Sequence, residues 1–474
     1  MRTRLTREGG RVFRGRPSAK ALGAGRKAAS KAMTRTSSIS EKPLCQPPRR
    51  LADWLNPDGQ RKVHSLVDKV YQPKNLRAAW EKVNANRGSG GIDGQSLEEF
   101  DQDSTQHLHR LHEELRRGRY QPLPVRRVYI PKPGKSGETR PLGIPAVYDR
   151  VCQQALLNQL EPIFEPLFDD SSFGYRPRRS AKDALRKMWR EIETGAEWIV
   201  DADLKNYFGT IDHGKLMTLV AQRVADGRVL TLIEQMLTAG GMENGRWFPT
   251  PQGTPQGGVV SPLLSNILLT PFDQEMRRRG YHLTRYADDW AVTCRSRREA
   301  EAALRCAEKL LTTLGVQLNV QKSRIVHVRR GFTFLGYVIK RGQRALSLPA
   351  AKIKSGARRG GLYAYPTQKA VDRFKDGVRR LTRRRVPLPT AQVIRELNPR
   401  IRGWGEYYKR AHVRRLFNQL DRWVVRRLWS HRDRRWRCAG WHALPTRRLR
   451  GELGLQRLIG LIPSLAPRPR AASS

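Results

Sequence analysis

Two adjacent carboxylates, Asp288 and Asp289, follow Tyr286 and Ala287 between two runs of strand-forming residues, Tyr281 to Arg285 and Trp290 to Cys294. Strand formers on both sides of a short polar turn predict a β-hairpin with the acids at its tip. Like charges held that close raise each other's pKa, and a bound divalent cation removes the cost. An isolated Asp-Asp pair is as readily an ordinary solvated turn. Its meaning depends on whether the chain supplies a third carboxylate and groups that hold phosphate.

A third acid is present. Trp198-Ile199-Val200-Asp201-Ala202-Asp203-Leu204 reads as an apolar strand running into acids, followed by Lys205-Asn206-Tyr207-Phe208 and by Ile211-Asp212-His213 at the start of a helix. A buried strand that ends in Asp is costly unless something cationic meets it. Asp201 and Asp203 share a face in regular strand geometry. Spacing leaves open whether Asp201 is a second metal ligand or an acid turned to the opposite face.

Two further stretches suit phosphate. Val125 to Lys132 and Thr139 to Pro145 predict a second hairpin around a Gly/Pro turn, carrying Lys132, Lys135 and Arg140. Such residues are either solvated or leaned over a triphosphate. Pro251 to Pro262 is a Gly/Pro-rich loop that lets backbone approach a ligand closely, and Gln256 in it offers both donor and acceptor. The same stretch serves as a helix entry, with Ser261 as N-cap, Pro262 at the first helical position and the helix running from Leu263 to about Met276.

Other elements must position these groups. Asn75 to Val83 has helical spacing, and Asn86 to Gly94 is a Gly-rich loop read first as a turn of the chain. Helical periodicity from Leu97 to Leu115 ends at Gly118, with His107, His109 and His112 read as surface residues. Asp149 to Leu160 reads as a helix and Phe173 to Pro177 as a compact aromatic–basic loop, while residues 297–314 form an amphipathic helix. Leu318 to Ser323 and Phe332 to Tyr337 read as short strands. Residues 350–430 read as helical and heavily basic, with Trp404, Tyr407, Tyr408, Trp423 and Trp429 interleaved. Those rings are expected mainly in helix cores, whereas the arginines suit RNA.

Composition narrows the partner. The 474 residues hold 91 Lys and Arg against 43 Asp and Glu, a formal charge of +48. A surplus of that size repels itself unless a polyanion neutralises it, and nucleic acid is the economical one. No apolar span of membrane length or long amphipathic anchor is evident, so no membrane partner is expected. Cys45, Cys152, Cys294, Cys306 and Cys438 form no C-x-x-C pair, which supports neither a zinc knuckle nor a disulfide framework. A reducing bacterial cytoplasm fits. Residues 1–50 have the composition of a disordered basic arm, which an organellar transit peptide shares, so an organelle stays open.

In this order the stretches NRGSGGIDG, RPLGIP, DADLKNYF, TPQGGVVSPLLSN, YADD, LNVQKS and FTFLGY resemble a group II intron-encoded reverse transcriptase, over roughly Leu51 to Trp429. Arg402-Gly403-Trp404-Gly405-Glu406-Tyr407-Tyr408 is similar to the core of the maturase domain that follows the polymerase in that family. The resemblance implies an α+β right-hand polymerase with fingers, a palm with an antiparallel sheet and a helical thumb, followed by a helical maturase domain. It implies fingers and palm over 51–345, thumb and maturase over 346–430, and a short basic segment over 431–474 in which no endonuclease is expected.

By the same resemblance Asp203, Asp288, Asp289 and the Leu204 carbonyl hold two Mg²⁺ ions, with Mn²⁺ as a substitute. Phe208 rejects a 2′-hydroxyl, Gln256 lines the nucleotide pocket, Lys132 and Arg140 hold the triphosphate, and Lys322 protonates the departing pyrophosphate. Gly209 departs from the family, in which many members carry Asp. The implied partners are group II intron RNA, an RNA template, a DNA primer, target DNA and dNTPs, with monomer and dimer both open. Two other readings stand beside this one. One is a splicing factor that has kept the fold and lost polymerisation, and the other a reverse transcriptase used in host defence or repair.

Overall fold

Pro73 pre-sets the first turn of a helix whose Leu76, Ala79, Trp80 and Val83 recur at helical spacing, and all four are buried. That helix, α2 (Pro73–Ala85), follows the single turn α1 (Val67–Val70). The computed structural model describes residues 59, 61–131, 137–342, 361–383, 386–432, 442 and 444–463. Lys132, Lys135, the basic arm over 1–50, Cys45 and Cys438 lie outside the described residues. Pro43–Ser474 is a single compact unit by its internal contacts.

The one helix expected over Leu97 to Leu115 is two, α3 (Leu97–Gln102) and α4 (Ser104–Arg116). Ser96 and Glu99 close a capping box on α3, and Asp103 leaves helical geometry at φ −114° and ψ 25°. The break lets Phe100 and Leu111 both reach the core. It also corrects the reading of the histidines. His107 stacks on Phe100 at 4.6 Å and His112 donates from Nδ1 to the Tyr71 carbonyl at 2.8 Å, leaving His109 alone exposed.

Strands β1 (Val125–Pro131) and β2 (Thr139–Ile144) form the expected antiparallel hairpin, with Ile130 opposite Arg140. Next come α5 (Val147–Phe164), α6 (Ala181–Glu193), β3 (Trp198–Ala202), α7 (His213–Val220) and α8 (Gly227–Thr238). Asp212 caps α7 by accepting from the Lys215 amide at 2.9 Å. Short strands β4 (Gly241–Glu243) and β5 (Arg246–Phe248) complete a first sheet of order β2-β1-β4-β5, with β4 parallel to β1. Helix α9 (Ser261–Arg278) begins at Ser261 itself, and its N-cap is Val260. Ser261 is therefore not the cap; its hydroxyl donates to the Pro255 carbonyl at 3.0 Å and ties the loop to the helix instead.

Strands β6 (His282–Tyr286), β7 (Asp289–Cys294) and β8 (Arg324–His327) join β3 in a second sheet, antiparallel throughout, of order β6-β7-β3-β8, with α10 (Arg297–Thr313) between β7 and β8. Alternation along its strands sends Val200, Ala202, Trp290 and Val292 into one core with α5, α7, α9 and α10. Ile199 and Ala291 point into a second core with α6 and the later helices. Of the stretch Leu318 to Ser323, Leu318 alone pairs, in an isolated bridge with Leu204. The chain then turns, with the Lys322 amide on the Asn319 carbonyl, and the strand starts at Arg324.

Phe332 to Tyr337 is likewise a hairpin corner, not one strand. Strands β9 (Phe332–Phe334) and β10 (Tyr337–Arg341) meet at Leu335 (φ 47°) and Gly336 (φ 79°). A third strand, β11 (Leu362–Pro366), lies where helix was expected, because Tyr363-Ala364-Tyr365 alternates exposed, buried, exposed against β10. Helices α11 (Gln368–Leu381), α12 (Thr390–Tyr408), α13 (Arg414–Arg432) and α14 (Thr446–Gly451) pack behind this sheet. Trp404 sits among Phe374, Tyr408 and Phe417 at ring separations of 4.8, 4.8 and 5.7 Å, as expected for core aromatics. No helix among the described residues is long and apolar enough to cross a membrane.

The corner of β9 and β10 is clamped from α12. Tyr407 donates its hydroxyl to the Leu335 carbonyl at 2.8 Å and Tyr408 to the Gly336 carbonyl at 3.2 Å, while the Tyr337 hydroxyl donates back to the Tyr407 carbonyl. A β-carbon on Gly336 would lie 2.7 Å from the Tyr408 hydroxyl, so the corner has room for glycine alone. Each neutral bond of this kind contributes about 1 kcal/mol. Tyr407→Phe with Tyr408→Phe therefore lowers the urea midpoint, and either change alone produces about half that shift.

Candidate active site

The register of β6 and β7 pairs Tyr286 with Asp289 and leaves Ala287-Asp288 as a two-residue turn. Ala287 sits at φ 58°, a left-handed conformation that disfavours a β-carbon residue by roughly 1–2 kcal/mol. A buried guanidinium offsets it. Arg285 is fully buried and holds the Asp273 carboxylate through Nε (2.7 Å) and Nη2 (2.5 Å). It also donates to the Ala287 carbonyl (3.0 Å), Asn266 Oδ1 (3.0 Å) and Ser172 Oγ (2.8 Å). Asn266 donates in turn to the Gly174 carbonyl at 2.9 Å. Gly174 lies against the turn so closely that a β-carbon on it would meet the Ala287 nitrogen at 2.3 Å. Helix α9, the 171–177 loop and the hairpin tip are thus fixed to one side chain.

The acids of β3 each meet a cation. Lys322 Nζ donates to Asp203 Oδ2, just beyond the end of the strand. Arg324 pairs with Asp201 at 3.0 Å and reaches Thr333 Oγ1 at 3.2 Å, so Asp201 has a partner of its own. Burial first, then the neighbouring carboxylates, push the Asp288 carboxyl up and the Asp289 carboxyl up to about 7. The Asp203 hydrogen bond is the main cause that raises the Lys322 ammonium.

The donors suit a hard divalent cation. After burial, Asp288 and Asp203 both push the Asp289 carboxyl up, Asp288 is itself disfavoured as an anion, and the Lys322 ammonium sits on Asp203 in a cation's role. Leu204 fits too. The hydrogen bonds of its bridge use the Asp203 carbonyl and the Lys205 amide, leaving its own carbonyl outside them. Among the described residues, no group of three or more His, Cys, Asp and Glu forms a ready-made metal shell. Mg²⁺ seldom asks for one, since it keeps waters and takes substrate phosphates beside one or two carboxylates.

Around the acids, Tyr175 stands half exposed at φ 57° with its ring edge-on to Phe208 at 6.4 Å. Its phenol is pushed up by partial burial and then by Asp288, and pulled back by Arg140, so Arg140 and the acids act on one ring. The Phe208 carbonyl accepts from the Thr254 amide at 2.7 Å, seating the 251–258 loop beside it. In that loop the Gln256 carbonyl accepts from the Gly143 amide of β2 at 2.8 Å. Gln256 is therefore tied to the strand that carries Arg140. Lys132 lies outside the described residues. Gly209 abuts Asn206, whose amide nitrogen would lie 2.5 Å from an added β-carbon, a flexible group that can swing away.

Sequence reasoning missed Arg285, Asp273, Asn266, Tyr175 and Arg324. Little in the sequence marks the first two, since Asp273 shares its helix face with the polar Asn266 and Thr270.

The chain matches two family models. Residues 130–339 match "Reverse transcriptase (RNA-dependent DNA polymerase)" and residues 371–449 match "Group II intron, maturase-specific domain". Protein YkfC of Escherichia coli K12 is 35% identical over 330 residues, covering 61% of this chain and 86% of that protein. The group II intron-encoded protein LtrA of Lactococcus lactis subsp. cremoris is 35% identical over 235 residues, 48% of this chain and 38% of LtrA. The alignment thus spans well under half of LtrA's length. A solved Cas6-RT-Cas1--Cas2 complex aligns at 23% identity and a TM-score of 0.35, over 53% of this chain and 42% of that one.

Two outcomes follow from this geometry. Arg285→Met strands Asp273 as a buried unpaired charge, at about 3–5 kcal/mol, and pairing it with Asp273→Leu recovers most of that loss in urea unfolding. For Asp289 the folded pKa lies above that of an unfolded carboxylate, so folding disfavours its ionised form. Its contribution favours the fold below about pH 4 and is lost as pH rises through about 7. In chelated samples Asp289→Asn thus raises the melting temperature at pH 8 by about 2 °C, and the difference narrows below pH 7 and closes by about pH 4.

Proposed function

Because the chain belongs to the group II intron reverse transcriptase/maturase family and carries that family's RNA-directed DNA polymerase domain, we propose that it extends a DNA primer on intron RNA and binds that RNA to assist splicing and retromobility. The observation that carries this reading is the meeting of Asp203, Asp288 and Asp289 with Lys322 at one end of the β6-β7-β3-β8 sheet. We assign that sheet and its helices to the palm, the β2-β1-β4-β5 sheet to the fingers, and α11 to α13 to the thumb and maturase region.

Asp203, Asp288, Asp289 and the Leu204 carbonyl would hold two divalent cations, Mg²⁺ or in its place Mn²⁺. Bound there, such ions activate the primer 3′-hydroxyl and neutralise charge on the leaving pyrophosphate. The remaining work falls to the chain's own side chains. Lys322 carries a proton at Nζ and is held beside Asp203, where it can give that proton to the departing pyrophosphate. Arg140 and Lys132 take the triphosphate, and Gln256 borders the nucleotide from the loop docked on β2. Phe208, braced by Tyr175 and the Thr254 amide, blocks a 2′-hydroxyl and so selects dNTPs over ribonucleotides. No covalent intermediate is needed; positioning and charge neutralisation suffice. The charge of +48 serves contact with template, primer, target DNA and intron RNA.

The test is cDNA synthesis on a primed RNA template with Mg²⁺. Wild-type protein makes cDNA, whereas Asp288→Ala with Asp289→Ala makes none and still binds RNA. Synthesis by both forms would sink the assignment of the acids, and synthesis by neither would sink the polymerase reading. In the same assay Phe208→Ala admits ribonucleotides that the wild type rejects.

A further inference from the structure

Most large aromatic side chains of the described residues are covered, but two that remain exposed stand side by side on one strand. Tyr363 and Tyr365 of β11 are 37% and 43% exposed, with ring planes within 11° of parallel and centroids 6.4 Å apart. A third exposed ring, His412, joins them from the α12–α13 connection at 4.9 and 5.8 Å. We propose that Tyr363, Tyr365 and His412 form a stacking platform for unpaired bases of an RNA strand.

The rings are held in place before any ligand arrives. The Tyr363 ring packs so close to Gly342 that a β-carbon there would meet it at 2.7 Å, and its hydroxyl lies 3.3 Å from the corresponding position on Gly361. His412 is fixed through its own amide, which donates to the Ala364 carbonyl at 2.8 Å, and through Nδ1, which accepts from the Ala364 amide at 3.2 Å. Those same bonds occupy the outer edge of β11. Strand addition by another protein is thereby hindered at Ala364, which favours the face of the sheet as the contact surface.

That face has the charge of a nucleic-acid surface. Lys340 stands opposite Tyr363 and is exposed, and the segments Phe332–Phe334, Tyr337–Arg341 and Leu362–Pro366 contain no Asp or Glu. Thr333, on the same face through its pairing with Val338, takes a hydrogen bond from Arg324. Parallel π-faces beside the exposed Lys340, on strands that carry no acid, match the way single strands are gripped. Tyrosine and histidine rings are also the ones on which splayed RNA bases stack. The region matching the maturase-specific domain includes His412, which places the platform where polymerase sheet and maturase helices meet. The proposal rests on the reading that this chain binds RNA and is independent of its catalysis.

The experiment measures binding of the full chain to a short oligouridylate, to the same RNA with internal abasic sugars, and to oligothymidylate. Tyr363→Ala with Tyr365→Ala weakens oligouridylate binding about tenfold or more, leaves the abasic strand unaffected, and changes oligothymidylate less. Tyr363→Phe with Tyr365→Phe retains wild-type affinity, since the ring and not the hydroxyl carries the stack. The Ala variant still makes cDNA at saturating template, which separates this test from that of the catalytic acids. Equal losses on intact and abasic RNA, or no loss on either, overturn the proposal. So does an equal loss on DNA, or a change in sedimentation of the free protein, which would mark a surface for self-association.

Discussion

A single buried ion pair, Arg285 with Asp273, decides where the acidic turn can be. Both side chains are fully buried, and such pairs add little net stability because desolvation cancels most of the attraction. What they add is definition. A guanidinium has donors in a fixed planar fork, and here the fork is shared among Asp273, Asn266, Ser172 and the Ala287 carbonyl. Moving the turn by a fraction of an ångström would break several of those bonds at once in a place water cannot reach. The left-handed Ala287 and the contact with Gly174 are tolerable only because this arrangement admits no alternative.

Above that fixed base the electrostatics are left deliberately incomplete. Asp201 is satisfied by Arg324, and Asp203 is shared with Lys322, but among the described residues no salt bridge pairs Asp288 or Asp289 with a cation of its own. Such a cluster favours any cation that brings balancing charge to it. If the acids hold metal and nucleotide as proposed, binding energy from the nucleotide would go into completing that charge balance.

Much of this was legible in the sequence because it is local. The acidic hairpin, the β1–β2 hairpin, the strand ending at Asp203 and the capped start of α7 follow from period, turn chemistry and capping within a few residues. What the sequence concealed is what depends on distant partners. Arg285 in an apolar strand gives no hint that its acid lies in the preceding helix. Residues 362–366 sit in a basic stretch that reads as helix, and only pairing with β10 makes them a strand. Ser261 has the identity of a cap, yet tertiary contact with Pro255 gives its hydroxyl other work. The meeting of Tyr175 with Phe208, and of the Gln256 loop with the strand that carries Arg140, is tertiary in the same way.

The order of strands in the second sheet bears on how the protein is made. Strand β3, which leads to Asp203, lies inside the sheet, and both of its neighbours come later in the chain: β7 first, then β8. A nascent chain therefore carries β3 with two unpaired edges until β7 emerges, and with one until His327 has left the ribosome, on the order of ten seconds at typical synthesis rates. During that interval its apolar face has no sheet to join, and pairings this far apart in sequence are slow to form. The acidic turn and Asp203 are thus among the last parts to be brought together, so a chain that stalls before β8 is left with an unpaired strand edge prone to aggregate.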